Sequence, residues 1–391
     1  MMLLLVLPIG ALLNAIALLL LTKLSIPFSL LSTVLANLVL WLIFFISVKP
    51  YLKLKKLNMY PRSALGCIGI ISIIILGCTF LYGGIHTLLP TFHYDSLTNW
   101  NIRSKVSYFR AELVFENHGG FIEKPYYPVL YHALQVTAMQ FVPGWHDGVA
   151  SGIHFLLSLS LILLCYKLLR ERGYQSALVT MALLLGLPLM AMHTGQGYAD
   201  LPLVLYAATS LLFFQRSDLL LSGILVTACV WTKAEGLFFC FVPWLLMVLW
   251  QARRISYAVI WTLVVSLLWP AFLLMNGYSL TPHGTSDTGI IFSLSAFSSY
   301  LSALFLSGSF GMFWYAVIPF FTVLVFQRRF SPTLLWGLLS FVGYSAVYLC
   351  TSNSEYLILG QSFDRQMLLP AALIIVSFSS LFSEDDTVVL R

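Results

Sequence analysis

The chain has 391 residues, of which 59% are hydrophobic and only 9% are charged, and its mean hydropathy is +0.90. A soluble domain carries roughly 25% charged residues, so this chain has too few polar groups to cover a globular surface and must lie largely in lipid. The net charge of +6 comes from basic residues scattered between apolar spans, which excludes a nucleic-acid-binding face.

Apolar runs of about 20 residues can cross a bilayer as helices, and by that measure the sequence predicts an all-α polytopic membrane protein with about twelve transmembrane helices. The predicted spans are 2–22, 28–48, 67–89, 148–168, 177–194, 201–215, 219–232, 237–250, 257–275, 308–326, 333–350 and 367–383. No basic segment precedes the first run, which favours a retained helix over a signal peptide. The apolar segment 291–307 is predicted to be re-entrant or interfacial.

Basic residues stay on the cytoplasmic side during membrane insertion, and this fixes the orientation of the chain. The cluster 49–62 follows the second span, and alternation from there places fourteen of the 21 basic residues inside. Ten of the 15 acidic residues and all eight histidines then fall outside. No retrieval or transit signal is visible. We therefore expect a plasma (inner) membrane protein with its site facing the periplasm or exterior.

The largest outer segment, 90–147, is rich in aromatic residues, and long loops of this kind are usually functional. Within it, Leu97, Ile102 and Val106 have roughly helical spacing, which predicts an interfacial helix over 96–115. Asp95 opens the segment and is either a general base or a helix cap. Arg103 and Lys105 follow, and they would neutralise a phosphate or rest among lipid headgroups.

Further charged residues lie at other outer helix ends. Asp200, in GQGYADLPL, is a functional candidate or a helix cap, because a carboxylate at a membrane boundary must be paired or solvated. Lys233 and Glu235, in WTKAEGL, form either a mutual ion pair or part of a site. The same alternatives hold for Asp364 and Arg365, in SFDRQMLLP. Convergence of such residues from several helices is typical of a site in a helical bundle.

A metal site is weakly indicated by the pair His93 and Asp95. No second spaced histidine pair supports it, and the six cysteines lack CxxC spacing. The sequence therefore predicts no metal and no cofactor.

Taken in order, the motifs resemble the GT-C superfamily of membrane glycosyltransferases, which includes protein O-mannosyltransferases and lipid A aminoarabinose transferases. The resemblance spans about residues 90–370. The motifs are Asp95-Ser96 with Trp100, Arg103 and Lys105, then KPYYPVLY (124–131), YADLP (198–202), TKAEGL (232–237) and DRQMLLP (364–370). The resemblance divides the chain into two parts. Residues 1–66 contain two N-terminal helices and a basic cytoplasmic loop, and residues 67–391 form the catalytic core. The two helices and the lack of a second acid beside Asp95 depart from the family pattern.

The resemblance implies an inverting glycosyltransferase, in which a sugar passes from a polyprenyl-phosphate donor to a glycan, lipid or protein acceptor at the outer face. Asp95 and Asp200 would be catalytic. The donor phosphate would be bound by Arg103, Lys105, Lys233 and Arg365. The substrate would be contacted by Trp100, Tyr127, Tyr198 and Glu235.

Three other functions are open on the sequence: a transporter, an O-antigen polymerase or ligase, and a structural membrane protein. Transporters place charged residues near the bilayer midplane and often have inverted repeats, whereas here the charges lie at outer helix ends and no repeat is visible. A polymerase or ligase also has a large outer loop with basic residues. The distance between Asp95 and Asp200 in the fold distinguishes a glycosyltransferase from these alternatives, because a large distance argues against a glycosyltransferase.

The orientation can be tested by cysteine labelling in a background without the native cysteines. Asp95→Cys, Asp200→Cys, Lys233→Cys and Arg365→Cys should react with a membrane-impermeant maleimide from one side, after mild unfolding where they are buried. Lys53→Cys and Arg254→Cys should react from the opposite side, because an odd number of spans separates the two groups. Labelling of positions 95 and 254 from the same side would contradict the topology.

Overall fold

The computed structural model describes residues 1–51, 66–115, 126–251, 256–280, 293–327 and 332–379, and the regular elements in these ranges are helices. The α-helices are α1 (Met2–Lys23), α2 (Leu30–Val48), α3 (Cys67–His86), α4 (Ile102–Arg110), α5 (Leu130–Met139), α6 (Asp147–Leu169), α7 (Tyr174–Leu185), α8 (Pro188–Gln196), α9 (Asp200–Gln215), α10 (Leu219–Thr232), α11 (Val242–Gln251), α12 (Tyr257–Met275), α13 (Leu294–Phe305), α14 (Phe313–Gln327), α15 (Pro332–Cys350), α16 (Ser354–Ile358) and α17 (Phe363–Phe378). Short π-helical turns precede α4 (Ser96–Asn101) and α11 (Leu237–Phe241).

Six described helices are long and apolar enough to cross a membrane, namely α1, α2, α3, α6, α12 and α15. The predicted all-α polytopic class is therefore confirmed. The predicted span 177–194 is bent by 75° between α7 and α8. The break precedes Pro188, because a proline disfavours helical backbone in the residue before it. The other five predicted spans overlap the shorter helices α9, α10, α11, α14 and α17, and residues 380–383 of the last span lie outside the described residues.

The chain forms two compact units. The first unit comprises Met1–Lys56, Leu81–Leu164 and His193–Gly284, and the second comprises Leu57–Phe80, Cys165–Met192 and Thr285–Arg391. The boundary predicted between residues 66 and 67 stays a prediction.

Helix α10 forms the centre of the first unit and packs against α9, α12, α1 and α5. Polar side chains bind it to its neighbours: Ser222 exchanges hydrogen bonds with Ser210 of α9, and Thr227 pairs with Ser266 of α12 at 2.9 Å. Hydrogen bonds between membrane helices contribute about 0.6 kcal/mol each on average. Small polar residues therefore hold together helices whose packing in lipid has little hydrophobic driving force.

The two N-terminal helices differ in their surroundings. Helix α1 packs against α2, α5 and α10, whereas α2 exposes large apolar side chains such as Leu31 (69% exposed) and Ile46 (67%). Ser29 caps α2 by accepting from the Ser32 backbone N–H, and the Ser32 hydroxyl lies 2.9 Å from the Ser29 nitrogen. Side chains of α2 thus face lipid, while α1 belongs to the core of the unit.

In the second unit, α17 packs against α15 and α7. A cavity of about 730 Å³ opens between α7, α14 and α17, and its lining is almost entirely apolar, with Leu183, Phe313 and Phe378 among the contributing side chains.

The predicted interfacial helix is present as the turn Ser96–Asn101 and α4. Helix α4 buries its polar residues Arg103, Ser104 and Ser107, yet Phe109 is 65% exposed. The exposed side of α4 therefore carries Phe109 together with the basic residues Lys105 and Arg110, a combination that suits the membrane interface.

The close approach of α10 and α12 depends on Gly223, where a Cβ atom would overlap Thr262 Oγ1. We expect Gly223→Ala to lower the free energy of unfolding by about 1–3 kcal/mol, the usual cost of overpacking. Thermal unfolding in detergent measures this loss. Gly84→Ala is the matched control because nothing lies within 4 Å of its Cβ position, and it should be as stable as the wild type. Equal stability of both variants would contradict this account of the packing.

Candidate active site

A buried charge cluster lies where α9 begins and α10 ends. Asp200 is the first residue of α9, and Lys233 follows the last residue of α10. The Lys233 ammonium lies 3.0 Å from Asp200 Oδ1 and 3.3 Å from Glu235 Oε1. Lys233 and Asp200 are each only 3% exposed. Two carboxylates therefore surround one ammonium, in a place where a lone charge would be costly.

The turn that carries Lys233 and Glu235 lies directly against the end of α10. A Cβ atom on Gly236 would overlap the carbonyl oxygen of Cys229, so only glycine fits there. The Lys233 backbone is extended, and its N–H donates to the Cys229 carbonyl at 3.2 Å. The backbone thus turns back immediately after α10 and brings both charged side chains of the turn to Asp200.

The Asp95 segment is joined to the segment that leads into Asp200. Ser96 Oγ donates to the Gln196 carbonyl, and Tyr131 Oη donates to the Gly197 carbonyl at 2.9 Å. Gly197 has a φ of +67°, which glycine adopts without strain. Ser96, the residue after Asp95, therefore contacts Gln196, which lies four residues before Asp200. The predicted site requires these two segments to be close. Ser96 and Tyr131 were not predicted as part of it.

Asp95 itself is half-buried and precedes the π-helical turn, but its side chain does not cap that turn. The capping alternative is therefore wrong for this turn. The catalytic role of Asp95 stays a prediction.

The aromatic residues predicted to bind substrate form a buried cluster behind these segments. Trp100 and Tyr127 are stacked with ring centroids 5.2 Å apart, and Tyr131 meets Trp100 edge-on at 5.6 Å. Tyr198 is partly buried and packs against the cluster. The mutual stacking of Trp100 and Tyr127 stabilises the segment around Asp95, and their contact with substrate stays a prediction.

Arg103 lies wholly inside the protein. Its Nε donates to the Val114 carbonyl at 2.9 Å and its Nη1 to the Tyr127 carbonyl at 2.5 Å. Among the described residues its Nη2 has no hydrogen-bond partner. Burial lowers the pKa of Arg103 to about 9. Arg103 thus binds the segments that contain Val114 and Tyr127 to α4, and its buried Nη2 remains available as a donor among the described residues.

Two histidines lie close to these elements. The pKa of His132 is held well below its ordinary value by burial and then by the charge of Arg103. Burial, and secondarily the neighbouring His86, lowers the pKa of His93. Both imidazoles are therefore neutral at pH 7. His93 also lies near Tyr198, with ring centroids 6.0 Å apart.

The remaining two predicted phosphate ligands are Lys105 and Arg365. Lys105 is exposed on α4 and lines an outer cavity with Trp145 and Asp147. Arg365 is half-buried in the first turn of α17, in the second unit. Its neighbour Asp364 accepts a hydrogen bond from Ser309.

A metal centre has no counterpart in the described part of the chain, where no three His, Cys, Asp or Glu side chains come together as ligands. The predicted lack of a metal or cofactor stays a prediction.

The buried cluster should be coupled energetically. Lys233→Met leaves two carboxylates uncompensated, and the free energy of unfolding should fall by about 3–5 kcal/mol. The double variant Lys233→Met/Asp200→Asn should lose less, because one of the two repelling charges is removed. Lys105→Met, at an exposed lysine, should change stability by less than about 0.5 kcal/mol. Unfolding in detergent measures all three, and a Lys233→Met variant as stable as the control would show that the cluster does not form.

Comparison with known proteins identifies solved structures that have a similar fold. No protein-family model matches the sequence, and no curated protein does. Two solved structures match: ArnT from Cupriavidus metallidurans bound to undecaprenyl phosphate, with a TM-score of 0.58, and the same protein in the apo state, with a TM-score of 0.55. Each is 15% identical to this chain and matches 80% of it, but the chain covers only 60% of ArnT. The chain therefore shares the fold of ArnT over the matched part.

Proposed function

We propose that the chain is a GT-C-type glycosyltransferase that transfers a sugar from a polyprenyl-phosphate donor to an acceptor at the outer face of the membrane. The observation that carries the proposal is the junction of the Asp95 segment with the buried Asp200–Lys233–Glu235 cluster in an ArnT-like fold. The matched ArnT structure holds undecaprenyl phosphate, which supports a polyprenyl-phosphate donor here.

The proposed reaction is a single displacement. An acceptor hydroxyl oxygen attacks the anomeric carbon, and the bond between that carbon and the phosphate oxygen breaks. The electron pair of the broken bond goes to the polyprenyl phosphate, and the hydroxyl proton goes to the Asp95 carboxylate. Attack from the face opposite the leaving group inverts the anomeric configuration.

The leaving phosphate is proposed to accept hydrogen bonds from Lys233 and Arg103, of which Arg103 supplies positive charge that no described carboxylate cancels. Lys233 is held in place by Asp200 and Glu235, so its ammonium needs little reorganisation when the phosphate approaches. Arg103 offers the buried Nη2 donor. A guanidinium bound to carbonyls keeps its full charge for an anion, because no described carboxylate lies within ion-pair distance of it. The phosphate-binding role of Arg365 stays a prediction.

Asp200 has two proposed roles in this scheme. It fixes the Lys233 ammonium, and it stands at the positive N-terminal end of α9, which favours its ionised form. Tyr198, two residues earlier, and Glu235 are proposed to contact the sugar.

Asp95→Asn tests the proposed base. Asparagine has the same size and cannot accept the proton, so turnover of a labelled polyprenyl-phosphate sugar should fall by about 100-fold or more. Asp218→Asn is the matched control, because Asp218 caps α10 by accepting from the Leu221 N–H at 3.3 Å and asparagine caps equally well. The control should keep wild-type turnover. Near-normal turnover of a folded, correctly inserted Asp95→Asn protein would refute the role of Asp95.

A further inference from the structure

The C-terminal end of the first helix is hydrogen-bonded to the outer loop. Thr22, in the last turn of α1, accepts at its Oγ1 from the Leu113 N–H at 3.0 Å. In the turn between α1 and α2, the Phe28 N–H donates to the Ala111 carbonyl at 2.7 Å. All of these residues belong to the first unit. The N-terminal helices depart from the family pattern and have no part in the proposed transfer reaction, yet they hold the segment that follows α4.

That segment needs support from outside α4. Ala111 ends α4 with a φ of +54°, a left-handed conformation that costs free energy in a residue with a Cβ atom. Leu113 is only 3% exposed, so its N–H requires an acceptor inside the protein. The Thr22 hydroxyl supplies that acceptor, and it donates its own proton to the Leu18 carbonyl at 2.9 Å. The direction of the hydroxyl is therefore fixed by both contacts.

The bond to α1 alternates with bonds to α4. Glu112 and Val114, the two neighbours of Leu113, are held by Ser107: the Glu112 N–H donates to its carbonyl at 3.2 Å and the Val114 N–H to its Oγ at 3.2 Å. Leu113, between them, donates to Thr22 of α1. Three successive N–H groups thus place this short segment between two helices.

The same segment carries the surroundings of the Arg103 guanidinium. The Val114 carbonyl accepts from Arg103 Nε at 2.9 Å, and the Phe115 ring lies beside the guanidinium, with its centroid 5.4 Å from Cζ. Phe115 also packs against Phe272 of α12, with ring centroids 5.0 Å apart, and the Lys23 ammonium lies 4.7 Å from the Phe272 centroid. The end of α1 therefore contacts the surroundings of Arg103 both by hydrogen bonds and through aromatic rings.

We propose that Thr22 is a positioning residue for Arg103. By accepting from the Leu113 N–H it fixes the Val114 carbonyl, and that carbonyl sets the direction in which Arg103 presents its buried Nη2 to an anion. Thr22 itself contacts no substrate in this scheme. That the anion is the donor phosphate rests on the proposed function, whereas the positioning of the guanidinium does not.

Amide hydrogen exchange of the full-length chain in detergent tests the positioning without any donor. Thr22→Val keeps the shape of the side chain and removes the acceptor, so the amides of residues 112–115 should exchange at least about tenfold faster. Thr22→Ser keeps the hydroxyl and should restore slow exchange. Thr180→Val is the matched control, because the Thr180 hydroxyl likewise donates to a carbonyl four residues earlier, that of Ser176 at 2.8 Å, but lies in the second unit. It should leave exchange at 112–115 unchanged.

A double-mutant cycle in the transfer assay separates positioning from a purely structural role. Thr22→Val should raise KM for the polyprenyl-phosphate donor by about three- to tenfold, with a smaller change in kcat, because a buried hydrogen bond that orients the guanidinium is lost. In an Arg103→Met background, Thr22→Val should have no further effect on KM, since the group that it positions is absent. Thr22→Ser and Thr180→Val should keep the wild-type KM.

Two results would overturn the proposal. One is unchanged exchange at 112–115 in Thr22→Val, which needs only the Thr22 variants and so decides even if Arg103→Met does not fold. The other is an equal rise in KM with and without the Arg103 guanidinium, because Thr22 would then not act through it. A chain that shows the predicted exchange pattern but whose wild type cleaves no donor would refute the proposed function while the positioning stands.

Discussion

The structure of the candidate site depends on neutralising one buried ammonium where α9 begins and α10 ends. Lys233 is almost fully buried, and its charge is stabilised because α9 begins with Asp200 and the turn after α10 supplies Glu235. That turn requires Gly236, whose missing side chain lets the backbone lie against Cys229. The ends of two central helices are therefore fixed by the same contacts that arrange the charges. Removal of the Lys233 ammonium would leave two carboxylates uncompensated, which costs several kcal/mol in buried surroundings.

The two buried cations of the first unit are stabilised differently, and this gives them different chemical properties. Lys233 is paired with carboxylates, whereas Arg103 is bound by the carbonyls of Val114 and Tyr127. Carbonyl dipoles satisfy N–H donors without cancelling the charge. Burial then lowers the pKa of Arg103 to about 9, so it keeps its proton at neutral pH and would gain from an anionic ligand.

The long helices could be predicted because continuous apolar runs have clear ends: the span predicted at 257–275 is α12 without change. The charged residues at helix ends could be predicted for the same reason, since Asp200 and Lys233 each lie where an apolar run stops. Contacts between residues distant in sequence could not be predicted. Examples are the hydrogen bond from Ser96 to Gln196 and the stacking of Trp100 on Tyr127. The different surroundings of Arg103 and Lys105 could also have been predicted, because residues two apart on a helix do not share a face. Grouping the two residues by their charge overlooked this. Likewise, Pro188 marked the bend within the predicted span 177–194.

The central claim is that this fold cleaves a polyprenyl-phosphate sugar and passes the sugar to an acceptor. The most direct measurement reconstitutes the purified chain in vesicles with a panel of labelled polyprenyl-phosphate sugars and an acceptor extract from membranes. The account predicts that one donor of the panel is consumed and that free polyprenyl phosphate appears in the same amount as glycosylated acceptor. Movement of an intact donor across the bilayer without cleavage, or no consumption of any donor by folded protein, would contradict it.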